Sequence, residues 1–99
     1  MFYQIGKFQV IPGKEKEFEG LVRQLFIDTR GIATDRIQVY LVRSTSDPAH
    51  YSIVGTWKSA HQWEAIGQTT LRQEFNEKLK SILQRPREGE MFEVVVGEP

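Results

Sequence analysis

The chain has 99 residues, room for one hydrophobic core, and its 39% hydrophobic and 26% charged residues exclude a disordered polypeptide. Thirteen basic and thirteen acidic residues cancel, so no net field draws the chain to nucleic acid or to an anionic membrane. The absence of cysteine excludes a disulfide framework, a thiolate metal site and a cysteine nucleophile.

No apolar run approaches the ~20 residues that span a bilayer, and the opening Met1-Phe2-Tyr3-Gln4-Ile5-Gly6-Lys7 lacks the features of a signal peptide. A single cytoplasmic domain over residues 1–99, with neither a nucleic-acid nor a membrane partner, is the expectation.

Phe2 to Ile11 alternates Phe2, Gln4, Gly6, Phe8 and Val10 on one face with Tyr3, Ile5, Lys7, Gln9 and Ile11 on the other, a strand that Pro12-Gly13 stops. From Lys14 the period changes: Phe18, Leu21, Val22, Leu25 and Phe26 make one apolar stripe of an amphipathic helix. Asp28-Thr29-Arg30-Gly31 closes that helix, with glycine expected in the left-handed conformation. Arg36 to Arg43 reads as a second strand with Ile37, Val39 and Leu41 on one face, and 44–49 as a loop.

His50 to Trp57 is a third strand, antiparallel to the second. Ser59 and Gln62 have capping-box spacing, which starts a short helix at Ala60. Thr70 and Gln73 repeat the spacing ahead of a longer helix with Leu71, Phe75, Leu79, Ile82 and Leu83 on its stripe, ending before Pro86. Glu90 to Val96 is the last strand.

This order, β-α-β-β-α-α-β, predicts an α+β fold of the ferredoxin-like kind: a four-stranded antiparallel sheet with its helices on one face. The strands nevertheless carry apolar residues on both faces, among them Tyr3, Ile5, Tyr40, Val42, Met91 and Val95. An uncovered apolar sheet face predicts association. Hiding even ~600 Å² of it stabilises by on the order of 15 kcal/mol before association costs. A symmetric homodimer through the sheet face is the expected assembly.

Two segments resemble a known family. Val10-Ile11-Pro12-Gly13-Lys14-Glu15-Lys16-Glu17-Phe18 is similar to the first strand and helix start of the antibiotic biosynthesis monooxygenase superfamily. The run from Tyr51 through Trp57-Lys58-Ser59 to Ala65 resembles that superfamily's third strand and following helix. The resemblance spans Phe2 to Val96 and implies a dimeric α+β barrel with small-molecule sites between sheet and helices. It also implies one of several roles: cofactor-independent oxygenation of aromatic polyketides, haem degradation, or a function not yet assigned. The haem-degrading members use an asparagine, a tryptophan and a histidine where this sequence has Gly6, Ile66 and Phe75, so haem degradation is disfavoured.

Among chemically capable residues, His61 is the candidate proton-exchanging group, against a solvent-facing imidazole as its plainer reading. Trp57 and Trp63 offer rings on which an aromatic ligand stacks, or else fill the core. Tyr40 could donate to a phenolate or lie in the dimer interface, and Arg43 could hold an anion or form a surface salt bridge. His50 reads as a loop residue, and the two histidines have no metal-ligand spacing.

No nucleophile-base-acid set or glycine-rich phosphate loop is visible. The leading expectation is therefore a monooxygenase-like activity that needs no cofactor and acts on a hydrophobic aromatic or quinol-like compound. A non-catalytic dimeric module for ligand binding or protein association is the alternative, and the sequence leaves open which holds.

Overall fold

A computed structural model describes all of residues 1–99. Its elements are β1 (Phe2–Gln9), α1 (Glu15–Thr29), β2 (Arg36–Arg43), β3 (His50–Trp57), α2 (Ala60–Gly67), α3 (Thr70–Leu79) and β4 (Glu88–Glu93). The strands form one antiparallel sheet in the order β2-β3-β1-β4, the ferredoxin-like arrangement. No helix is long and apolar enough to cross a membrane.

Period-two alternation puts Phe8 of β1 and Tyr51 and Ile53 of β3 under the helices. There they meet Phe18, Val22 and Leu25 of α1, Phe75 and Leu79 of α3, and Ile82. A second, smaller cluster joins Ala33, Trp57 and Ile66, with Phe2, Trp63 and Met91 packed against it. Beneath it, Trp57 donates its indole N–H to Gln4 Oε1 at 2.6 Å, a buried polar pair between neighbouring strands.

The opposite sheet face has no cover in the single chain. Tyr40, Val42 and Phe92 are exposed there, beside half-buried Ile5 and Val54.

Several boundaries differ from the sequence expectation, each for a local reason. β1 ends at Gln9 because the chain beyond α3 takes over its hydrogen bonds: Gln84 N–H donates to Gln9 O, Ile11 N–H donates to Ile82 O, and Val10 bridges Leu83. Gly31 is not left-handed, and only Gly13 has a positive φ. α1 instead closes through tight turns in which the Ile32 and Ala33 N–H groups both donate to Thr29 O, while Thr29 Oγ1 donates back to Leu25 O at 2.7 Å.

A bulge between Arg36 and Gln38 breaks the alternation of β2, so Ile37 is 48% exposed instead of joining Val39 and Leu41. Arg36 is turned under the sheet, its guanidinium 5.8 Å from the Phe26 ring and 5.9 Å from that of Trp57. α3 is capped by Thr69, one residue before Thr70, and stops at Leu79. β4 spans Glu88–Glu93, not Glu90–Val96, since its partner β1 runs out: Glu93 already faces Phe2, and one further bond joins Val94 N–H to Met1 O.

Ser59 caps α2 by accepting from Gln62 N–H at 3.2 Å, but Gln62 does not reach back to complete the box. Its side chain accepts from Asp35 N–H at 2.6 Å and donates to Thr34 Oγ1, which ties the start of α2 to the turn ahead of β2.

Candidate functional site

The site grows out of the way α3 ends. Leu79 is buried, and the chain then leaves the helix, crosses the end of β1 through Ile82 and Leu83, and reaches Pro86 and Arg87 before β4 begins. This return segment stands off from α3 and leaves an open cleft of about 710 Å³, walled by Trp63, Leu79 and Leu83 on the apolar side and by Asn76, Lys80 and Arg87 on the polar side. An adjoining hollow of about 330 Å³ shares Trp63, Asn76 and Arg87 and adds Glu64 and Arg72.

Arg72 and Asn76 are one turn apart on α3, so their side chains share a face. Asn76 Oδ1 accepts from Arg72 Nε at 3.4 Å and from Arg87 Nη1 at 3.2 Å, so two guanidinium groups converge on one amide oxygen. Arg72 is only 8% exposed and stacks 5.7 Å from the Phe75 ring centre; Arg87 lies 5.5 Å from that of Phe8. Burial pulls the Arg87 guanidinium below its ordinary pKa, while arginine keeps its charge at physiological pH.

Arg87 lies against Gly89, which faces Gly6 across β1 and β4. A Cβ on Gly89 would stand 3.1 Å from Arg87 Nη2.

The ion pairs of the chain are Lys14–Glu17, Arg43–Glu19 and Lys80–Glu77, so neither Arg72 nor Arg87 has a carboxylate partner. Trp63 adds a second unmet group: its indole N–H is the one buried side-chain polar atom with no hydrogen-bond partner. No carboxylate or imidazole lines the main cleft. Its chemistry is that of an apolar slot with a cationic wall, able to hold an anion and to stabilise negative charge that develops on a bound molecule.

Of the five residues singled out from the sequence, Trp63 lines this cleft and the others lie apart from it. His61 is exposed in the first turn of α2, because the residues that bury that helix are Ile66 and Trp63 on its other side. Trp57 is 2% exposed and engaged with Gln4 in the core. Tyr40 is 53% exposed on the uncovered sheet face. Arg43 lies 3.7 Å from Glu19, whose carboxylate also accepts from Tyr51 Oη at 2.6 Å. Burial and this bond to Glu19 hold the Tyr51 phenol above its usual pKa.

Arg72, Asn76 and Arg87 were not anticipated. A usable sign was present: Arg72 has no acid three or four residues away, unlike Lys14 and Lys80 with Glu17 and Glu77. No cluster of three or more His, Asp or Glu residues is placed to hold a metal ion.

Solved structures share this architecture. A protein from Deinococcus radiodurans described as a candidate antibiotic biosynthesis monooxygenase matches with a TM-score of 0.88 at 13% identity, covering 100% of this chain and 97% of that one. One of like description from Nitrosomonas europaea gives 0.85 at 16% identity, covering 97% and 100%. Another from Bordetella bronchiseptica gives 0.81 at 24% identity, covering 96% and 97%. At these identities the likeness is one of fold. Among curated proteins no match is found. The model of the antibiotic biosynthesis monooxygenase family matches residues 1–78, most of the chain, and the cleft-wall residues from Leu79 to Gly89 lie beyond the match. The chain belongs to the antibiotic biosynthesis monooxygenase family.

Proposed function

We propose that the protein is a cytoplasmic, cofactor-independent enzyme of the monooxygenase type that acts as a homodimer on a hydrophobic aromatic or quinol-like compound. The observation that carries the reading is the cleft itself. Trp63, Leu79 and Leu83 offer an aromatic and aliphatic bed, and Arg87 and Asn76 present donors beside it.

The cleft has no base, so the substrate must be acidic enough to ionise on binding. A guanidinium within 4–6 Å of an enol or phenol favours its anion by about 1–3 pKa units. The substrate releases its proton to solvent and its anion gives an electron to dioxygen, the two radicals combine to a peroxide anion on carbon, and a proton from solvent converts it to the hydroperoxide. In an anthrone-like substrate, whose reacting carbon carries two hydrogens, loss of water then leaves a carbonyl where a methylene stood: one oxygen atom enters the product and the other leaves as water, and the substrate supplies all the electrons. The cleft contributes orientation and charge stabilisation.

Homodimerisation through the sheet is supported by the uncovered face and by Val95 and Val96, which are 84% and 89% exposed beyond β4.

Oxygen uptake over a panel of anthrone-like and quinol substrates tests the activity. Trp63→Ala is expected to lower kcat/KM at least tenfold with unchanged circular dichroism, and His61→Ala to leave it within about twofold. Equal turnover in Trp63→Ala would remove the cleft from the reaction. The missing base favours a second reading, a dimeric binding module, for which saturable binding without any oxygen uptake is the expected result.

A further inference from the structure

We infer that the ligand of this cleft carries a carboxylate, gripped by Arg87 and Arg72 beside an aromatic body laid along Trp63, Leu79 and Leu83. The inference rests on the cleft being the ligand site proposed above, and not on the ligand being oxidised.

Apart from Glu64, an exposed carboxylate on the adjoining hollow that pairs with neither arginine, the groups gathered here are mainly donors. Asn76 Oδ1 is already engaged by both arginines, and its amide nitrogen donates to no protein atom. Trp63 Nε1 has no acceptor either. Arg72 and Arg87 together bring two positive charges, and the nearest compensation they receive is one neutral amide oxygen and the faces of Phe75 and Phe8.

Three cations of the chain are met by carboxylates. Lys80, on the same cleft wall, is paired with Glu77 at 2.8 Å, and Arg43 with Glu19. A buried guanidinium left without an anion forgoes most of the Coulombic return on its desolvation. A ligand that is itself an acceptor-only anion supplies that return.

Geometry favours a carboxylate over a bulkier anion. A guanidinium forks onto a carboxylate or a phosphate alike through two parallel N–H···O bonds, but only the carboxylate is itself planar. A benzoate-like or naphthoate-like acid is also planar, so the same molecule can lie flat against the Trp63 indole. Gly89 leaves the guanidinium its place, since a Cβ there would stand 3.1 Å from Arg87 Nη2 and make it shift by a few tenths of an ångström.

Calorimetric titration with a matched set of probes tests this: 2-naphthoate, the neutral 2-acetylnaphthalene that keeps the ring and the carbonyl oxygen, and 2-naphthyl phosphate. Naphthoate is expected to bind at least tenfold more tightly than acetylnaphthalene. Arg87→Gln should bring the two affinities to within about twofold of each other mainly by weakening naphthoate, and Arg87→Lys should restore only part of the difference. Equal affinity of naphthoate and acetylnaphthalene for the wild-type protein, or no binding of either, overturns the inference without recourse to any variant. Tighter binding of the phosphate than of naphthoate overturns the carboxylate assignment.

Oxygen uptake is read separately. Naphthoate preference with no uptake by any quinol upholds the carboxylate grip and refutes oxygenation, whereas uptake of a neutral quinol with no naphthoate preference refutes the grip alone.

Discussion

Gln4→Met isolates the energetic worth of a single buried hydrogen bond in this fold. The Gln4 side chain is 7% exposed and its Oε1 receives the Trp57 indole N–H at 2.6 Å, with Trp57 itself 2% exposed. Methionine keeps the length and shape of glutamine but offers only a weak sulfur acceptor, so the substitution leaves a donor buried and unmet. Stranding such a group costs about 1–3 kcal/mol. In a domain of this size that lowers Tm by roughly 4–8 °C for each kcal/mol.

Trp57→Phe removes the donor and leaves the amide oxygen unmet, and it opens a cavity besides, so alone it should cost more. In the double variant neither partner is stranded, and its loss should fall short of the summed single losses by about 1 kcal/mol. Urea unfolding followed by far-UV circular dichroism gives all four stabilities. Protein concentration is held constant because a dimer's stability depends on it. A loss below about 0.5 kcal/mol in Gln4→Met, or strictly additive singles, would refute the view that this bond anchors Trp57.

Two glycines of the sheet should respond oppositely to alanine. At Gly55 a Cβ would stand 2.9 Å from Gln38 O, a backbone atom that cannot swing away, so Gly55→Ala should destabilise by about 1–3 kcal/mol by denaturant unfolding. At Gly6 the nearest contact is an ordinary 3.5 Å to the Phe8 ring, so Gly6→Ala should be neutral or stabilising by up to about 1 kcal/mol. Val54→Asp places a charge at the centre of the uncovered sheet face, next to Ile5 and Tyr40. It should halve the mass measured by light scattering while circular dichroism stays unchanged. A wild-type protein that is already monomeric at micromolar concentration would disprove the sheet-face dimer.

What the sequence disclosed was whatever depends on period and punctuation. Phe18, Val22 and Leu25 declared a helix, and the alternation from His50 to Trp57 declared a strand whose odd positions are all buried. What stayed hidden depends on contacts between distant segments. Nothing local in β2 announces a bulge at Ile37, since the residue is an apolar β-former in apparent register. Val94 to Val96 look like strand, yet a strand needs a partner, and β1 has none left past Met1.

The cleft was concealed for a related reason. Trp63 could be suspected as a large ring on a short helix, but Arg72 and Asn76 carry meaning only once the return segment sets Arg87 beside them. A charged residue one step off an apolar stripe ordinarily faces water.

The return segment also separates what the domain must keep from what it is free to vary. Gln84, Arg85, Pro86 and Arg87 belong to no helix or strand and to neither core cluster, yet they form a continuous part of the cleft wall. Folding is governed by Phe8, Phe18, Tyr51, Phe75 and their neighbours, and 84–87 meets this core through Arg87, whose guanidinium lies 5.5 Å from the Phe8 ring. A lineage could therefore exchange one ligand for another by rewriting a four-residue stretch of the wall, at the cost of little more than that one contact. A fold held in common at 13% to 24% identity is the outcome such a division of labour permits.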